Sequence, residues 1–254
     1  MLLTIDIGNT SVGGMLFRDR VAVHSFRFAT PGPGTSQPWS VLSQAWPGAA
    51  IGAAIVSSVV PELNDGLTRF LRDRGVNPRF LDHCTPLEID LAVDDPAEVG
   101  ADRIADAVGA LEFASPPLLV IDSGTALTVD VVDAGLRYLG GVIAPGAELS
   151  IRCLAAHAAR LEPVDFKIPA SPLASNTADC IRAGVYYTHL GGLKLLVKEY
   201  RRMVGENAAV VATGGAAGLF RRDFSQIAHF VPDLIHHGLR RIHEGWGNAA
   251  AGST

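Results

Sequence analysis

Runs of aliphatic residues, several of them stopping at a polar residue and a glycine, set the pattern of this chain. Residues 2–7, Leu-Leu-Thr-Ile-Asp-Ile, predict a buried strand. Residues 12–17 and 22–28 read as two more strands, joined by Gly-Asn-Thr-Ser and Arg-Asp-Arg. Those links are short enough for hairpin turns, so the three predict an antiparallel meander. Residues 29–38 are rich in Pro, Gly, Ser and Thr and read as a loop. Residues 53–60 are a continuous apolar strand, and Pro61 opens a helical pattern that ends at Gly75. Residues 95–114 carry Val99, Ile104, Val108 and Leu111 on one helical stripe. The strand pattern then restarts at 117–124, 126–132 and 137–146. Helices are predicted over about 147–160 and 177–204, one more strand at 208–215, and a final helix after Val231-Pro232-Asp233.

The restart is also an echo. Ile5-Asp6-Ile7-Gly8-Asn9-Thr10 returns as Ile121-Asp122-Ser123-Gly124-Thr125. Each aspartate closes an apolar strand, with glycine two residues later and a hydroxyl within four. Two similar units of this length predict a duplicated domain, not a short-repeat solenoid, with the boundary near residue 114: residues 1–114 and 115–254. Glycine after a strand lets the backbone approach a ligand closely, and successive N–H groups in such a turn make an anion site. Thr10, Ser11 and Thr125 add hydroxyls. An aspartate beside the turn can hold a hydrated cation that bridges phosphate oxygens. One such turn alone reads more simply as a hairpin with a solvated aspartate. Its repetition in matched context favours a clamp for a nucleoside triphosphate. The chain has no GxxxxGK[ST], and no GxGxxG between a strand and a helix.

Gly100-Ala101-Asp102-Arg103 is a third feature, near the start of a predicted helix. An aspartate can accept the proton of an attacking hydroxyl, and an arginine can grip a carboxylate or phosphate through two parallel hydrogen bonds. By pattern alone, a solvated Asp–Arg pair explains these residues slightly better.

Composition narrows the classes. The 254 residues are 48% hydrophobic, enough for one large core or two ordinary ones. A net charge of −5 shows no basic footprint for nucleic acid. No apolar run is long enough to cross a bilayer, and no signal-like segment opens the chain. Cys84, Cys153 and Cys180 form no CxxC and suit a reducing, cytoplasmic setting. His236 and His237 are adjacent and read as ordinary surface or core histidines.

Taken together, these motifs resemble type III pantothenate kinase, a family of the acetate and sugar kinase/Hsp70/actin superfamily. The resemblance rests on Asp6–Thr10, Ser57–Pro61, Asp94–Val108, Asp122–Asp130, Gly140–Gly146, Ser175–Thr177, Ala212–Gly215 and Val231–Leu239, in that order. It implies an α/β fold of duplicated actin-like (ribonuclease H-like) domains, mixed sheets flanked by helices. It implies ATP-dependent phosphorylation of pantothenate, with Asp102 as general base. Gly100, Ala101, Asp102, Arg103 and Thr177 would bind the substrate. Asp6, Ile7, Gly8, Asn9, Thr10, Ser11, Val12, Gly13 and Thr125 would bind ATP. Asp122 would hold a monovalent cation, K⁺ or NH₄⁺, with Mg²⁺ accompanying ATP. A homodimer is implied, and residues 177–204, with Ile181, Val185, Tyr186, Leu190, Leu193 and Leu196, offer either a dimer face or a core helix. Asp106 stands where an asparagine is common, one turn from Asp102. Two competing readings are a regulatory protein on the same fold and a kinase of the superfamily with another small substrate.

Overall fold

The computed structural model describes residues 1–32, Trp39, Leu42, 50–158, 161–162 and 164–251, with side chains of the last helix described as far as Trp246. Most of the predicted loop at 29–38 therefore lies outside the described residues. Contacts divide the chain into two compact units, Met1–Gly109 with Leu234–Thr254, and Ala110–Asp233.

In the first unit the meander forms as the alternation requires. Strands β1 (Leu2–Ile7), β2 (Ser11–Arg18) and β3 (Val21–Ala29) are antiparallel, and β1 also pairs in parallel with β4 (Ala53–Ser58), which carries β5 (Pro78–Phe80). The sheet order is β3-β2-β1-β4-β5. Leu3, Ile5 and Ile7 point to one face and join Val12, Leu16, Val56, Leu67 and Leu71 in the core. Helix α1 (Asn64–Arg72) supplies those last two leucines, after a 3₁₀ turn at Pro61–Leu63.

The predicted helix over 95–114 is two pieces. A 3₁₀ turn at Pro96–Glu98 precedes α2 (Ala101–Ala110), and Val99 lies in the break, off the stripe. Proline opens the first piece, and Gly100 ends the extended link before the second.

In the second unit β6 (Leu118–Ser123), β7 (Ala126–Val132) and β8 (Arg137–Pro145) are antiparallel. β6 pairs in parallel with β9 (Ala209–Thr213), and β9 with β10 (Ile227–Phe230). The order of these strands, β8-β7-β6-β9-β10, repeats that of the first unit strand for strand. The duplication is thus topological: β6 is the counterpart of β1, and Asp122 that of Asp6. The helices of this unit are α3 (Ala147–His157), the long α4 (Thr177–Val204) and the short α5 (Ala217–Phe220). The apolar stripe of α4 turns inward. Ile181, Val185, Tyr186, Leu190 and Leu193 are buried, and Leu196 packs against the core beneath β6 and β7, so the stripe serves the core of its own unit. Buried Tyr186 donates to Asp223 Oδ2 at 2.7 Å, and burial with that carboxylate raises its phenol pKa.

The last helix, α6 (Leu234–Ala251), packs on β1, β2 and β4. It belongs with the first unit, where a division at residue 114 would give it to the second. The reason is a glycine crossing. A Cβ on Gly238 would collide with the Ala105 carbonyl of α2, and one on Gly109 would lie 2.6 Å from the Leu234 carbonyl. The two helices touch backbone to backbone, and a side chain there would push them apart. Gly238→Ala is expected to cost about 1–3 kcal/mol, the usual range for an overfilled core contact. Chemical denaturation measures it; an unchanged midpoint and slope would show that the crossing tolerates a methyl group.

Candidate functional site

The first turn follows a strand bonded on both sides. Asp6 faces Gly13 of β2 and Ser57 of β4 in register. Gly8 N donates to Ser11 O at 3.0 Å and closes the turn. Its carbonyls are engaged from behind: Val59 N donates to Ile7 O at 3.0 Å, Thr30 Oγ1 to Gly8 O at 2.6 Å, and Thr30 N to Thr10 O at 3.0 Å. Asn9 and Thr10 stand exposed at the tip. Ile7 and Val12 are fully buried core residues, so only their main chain could meet a ligand there. Thr30 fell within a segment that pattern marked only as loop, and nothing in the pattern revealed its role as a strut.

Beneath this strand pair lies a buried polar contact. Thr4 Oγ1 donates to Met15 O at 3.2 Å and lies 2.9 Å from His236 Nδ1. Thr4 and His236 thus share a buried hydrogen bond, with the ring's Nε2 on its far side. That nitrogen sits 3.3 Å from where a Gly13 Cβ would be, so a residue larger than glycine would crowd it. Burial first, then the charges of Arg27 and His237, push the His236 pKa down to about 3. Of the two readings of this histidine pair, His236 is the core one.

The Gly-Ala-Asp-Arg segment starts α2. Asp102 lies in the first helical turn, and its Oδ1 accepts from Arg103 N at 2.8 Å. A Cβ on Gly100 would collide with Asp102 Oδ1, so glycine leaves the carboxylate its place. Asp102 and Arg103 are half-buried, Ala101 is buried, and Asp106 one turn on is buried too. An anion near the helix start is favoured by the dipole.

In the second unit, Gly124 N donates to Ala126 O at 2.9 Å and Gly146 N to Thr125 O at 2.9 Å. Gly214, at φ +86°, packs so closely that a Cβ would collide with Asp122 Oδ1. Glycine is required there both by that close approach and by its left-handed backbone. Thr125 is exposed. Ser123 is buried, and its Oγ has no hydrogen-bond partner among the described residues. Thr177 is the exposed first residue of α4. The preceding Asn176 caps that helix: its Oδ1 accepts from Asp179 N at 2.9 Å and its Nδ2 donates to Asp179 Oδ2 at 2.8 Å. Asn176 first, then Arg182, hold the Asp179 carboxyl below the usual range.

The structure therefore gathers Asp6 to Gly13 in one hairpin, strand ends and turn together, and Gly100 to Arg103 at one helix start. In the other unit it gathers Asp122 and Thr125 in one turn, with Thr177 at the head of α4. No group of three or more His, Cys, Asp or Glu side chains gathers to hold a metal among the described residues. Among the described residues no helix is long and apolar enough to cross a membrane.

Comparison with known proteins bears on the family and the fold. The family model described as type III pantothenate kinase matches residues 2–199. A type III pantothenate kinase of Shouchella clausii is 35% identical over 255 residues, covering 96% of this chain and 99% of the relative. One from Paracoccus denitrificans is 37% identical over 252 residues, covering 96% and 97%. Among solved structures, a conserved Baf family protein of Campylobacter jejuni superposes with TM-score 0.61 at 19% identity, over 97% of this chain and 99% of that one. Component A of the (R)-2-hydroxyglutaryl-CoA dehydratase of Acidaminococcus fermentans gives 0.54 at 17% identity, over 98% of each chain. At these identities the structural matches show a shared fold.

The buried histidine makes a pH prediction. Its folded pKa lies below its unfolded value of 6.5, so only the unfolded chain takes up the proton between about 6.5 and 3. The contribution of neutral His236 is complete above 6.5 and is lost as pH falls through that window, by about 1.4 kcal/mol per pH unit. His236→Asn keeps a hydrogen-bonding side chain toward Thr4 and does not titrate. Urea denaturation at about pH 7 and about pH 4.5 should show the wild type losing stability relative to this variant. A constant difference would show that the ring is not held neutral.

Proposed function

The chain belongs to the type III pantothenate kinase family, and from that membership we propose that it transfers the γ-phosphoryl group of ATP to the terminal hydroxyl of pantothenate, the first committed step toward coenzyme A. The observation that carries this reading is the family match over most of the chain, joined to a duplicated fold that repeats the Asp-Gly turn at equivalent strand ends.

Phosphoryl transfer asks little covalent chemistry of a protein; it needs aligned groups and neutralised charge. In our reading the turn from Asp6 to Gly13 holds the phosphates through its backbone and the hydroxyls of Thr10 and Ser11, with Thr125 contributing from the second turn. Asp102 accepts the proton of the attacking hydroxyl. Its Oδ1 is oriented by Arg103 N, which supports a positioned base. Arg103, whose planar fork matches a carboxylate, binds that end of pantothenate with Gly100 and Ala101, and Thr177 adds a hydroxyl. Mg²⁺ accompanying ATP and a monovalent cation at Asp122 would neutralise phosphate charge. We further read the protein as a cytoplasmic homodimer. Its three free, exposed cysteines support a reducing compartment. The regulatory reading is not favoured, because Asp6, Asp102, Arg103, Asp122 and Thr177 are all retained.

Purified protein with ATP, Mg²⁺, K⁺ and pantothenate should release ADP only when pantothenate is present. Absence of that dependence in folded protein would refute the activity. Asp102→Asn should lower the rate by about 10²–10⁴-fold while ATP still binds; near-normal turnover would refute the base. Replacing K⁺ by Na⁺ should slow the wild type, and an equal rate would remove the cation role of Asp122.

A further inference from the structure

The turn from Asp6 to Gly13 carries no lysine or arginine of its own, yet it is read here as the seat of a highly charged triphosphate. One cation reaches it from the neighbouring strand. Arg27 lies on β3 directly opposite Gly13 of β2. Directly opposed residues of an antiparallel pair project to the same face. Because position 13 has no side chain, the Arg27 guanidinium can lie across it: Nη2 is 3.8 Å from where a Gly13 Cβ would be. Nη1 donates to Ser11 Oγ at 3.1 Å.

Two features of its surroundings leave this arginine able to take an anion. Among the described residues its side chain bonds a hydroxyl, and no carboxylate pairs with it. The group beneath it, His236 Nε2, belongs to a ring kept neutral in part by the arginine's own charge. The guanidinium therefore has unused donors, and its hydroxyl partner, Ser11, accepts from it and keeps a hydrogen to give.

We propose that Arg27 is a phosphate-binding residue of the first turn, its guanidinium and the Ser11 hydroxyl together gripping a terminal phosphate of ATP. The proposal rests on reading residues 6–13 as the phosphate turn. A guanidinium on a phosphate makes charge-assisted hydrogen bonds with a fixed fork geometry, which an ammonium reproduces only as a point charge.

The test is calorimetric titration of ATP and of adenosine into the wild type, Arg27→Gln, Arg27→Lys and Thr10→Val, without pantothenate and at one fixed ionic strength. Arg27→Gln should weaken ATP by about 10–100-fold, the worth of a charged hydrogen bond, and leave adenosine unchanged. Arg27→Lys should recover part of the loss. If Thr10→Val weakens ATP and Arg27→Gln does not, the arginine assignment fails while the phosphate turn stands. If neither variant weakens ATP, the reading of the turn fails and the proposal with it. Equal loss of ATP and adenosine in both Arg27 variants would assign the residue to the integrity of the fold and overturn its role on phosphate.

Discussion

The architecture of both turns depends on a central strand hydrogen-bonded along both edges. β1 is held antiparallel by β2 and parallel by β4, and β6 likewise by β7 and β9. A strand fixed on both sides has no freedom to slip, because a shift by one residue would turn its core face to the wrong side. Asp6 and Asp122 therefore leave their sheets at fixed positions and directions. The chain beyond each must reverse at once to supply the next strand, and glycine lets it do so while keeping backbone close to whatever the turn holds. Preorganisation of this kind is what phosphoryl transfer uses, since its catalysis is mostly placement and charge.

The supports of the first turn come from far along the chain. Thr30 ties two of its carbonyls from the end of β3, and α6 slides His236 beneath Thr4 and Gly13. The same helix crosses α2 through Gly238 and Gly109, which sets the helix that begins with Ala101 and Asp102. One C-terminal helix thus braces both candidate segments of its unit, and its return to the first sheet has a structural purpose.

Much of this was legible in the pattern of residues. Long apolar runs with clear turn chemistry, such as Leu2–Ile7 and Leu118–Ser123, gave their strands because pairing and burial both demand what the local sequence offers. The duplicated fold was legible because the Asp-Gly turn recurs in matched context. The short edge strands Pro78–Phe80 and Ile227–Phe230 were not, since three or four residues carry too little periodicity. Residues 95–114 misled because Val99 sits at helical spacing while Pro96 and Gly100 impose a break. Around the first turn, motif residues stood out, but their neighbours Thr30, His236 and Arg27 did not. Each acts through a partner at least sixteen positions away, with Arg27 and Ser11 the nearest pair. Pairing register and helix packing decide such contacts, and local pattern records neither.

The central claim is that these segments place a phosphoryl group on one particular hydroxyl. Phosphorus NMR of the reaction product reads this directly. The account predicts a new phosphomonoester resonance coupled to the methylene protons beside the terminal hydroxyl of pantothenate, growing as ATP is consumed. Phosphorus appearing only as ADP and inorganic phosphate, with pantothenate unaltered, would contradict it.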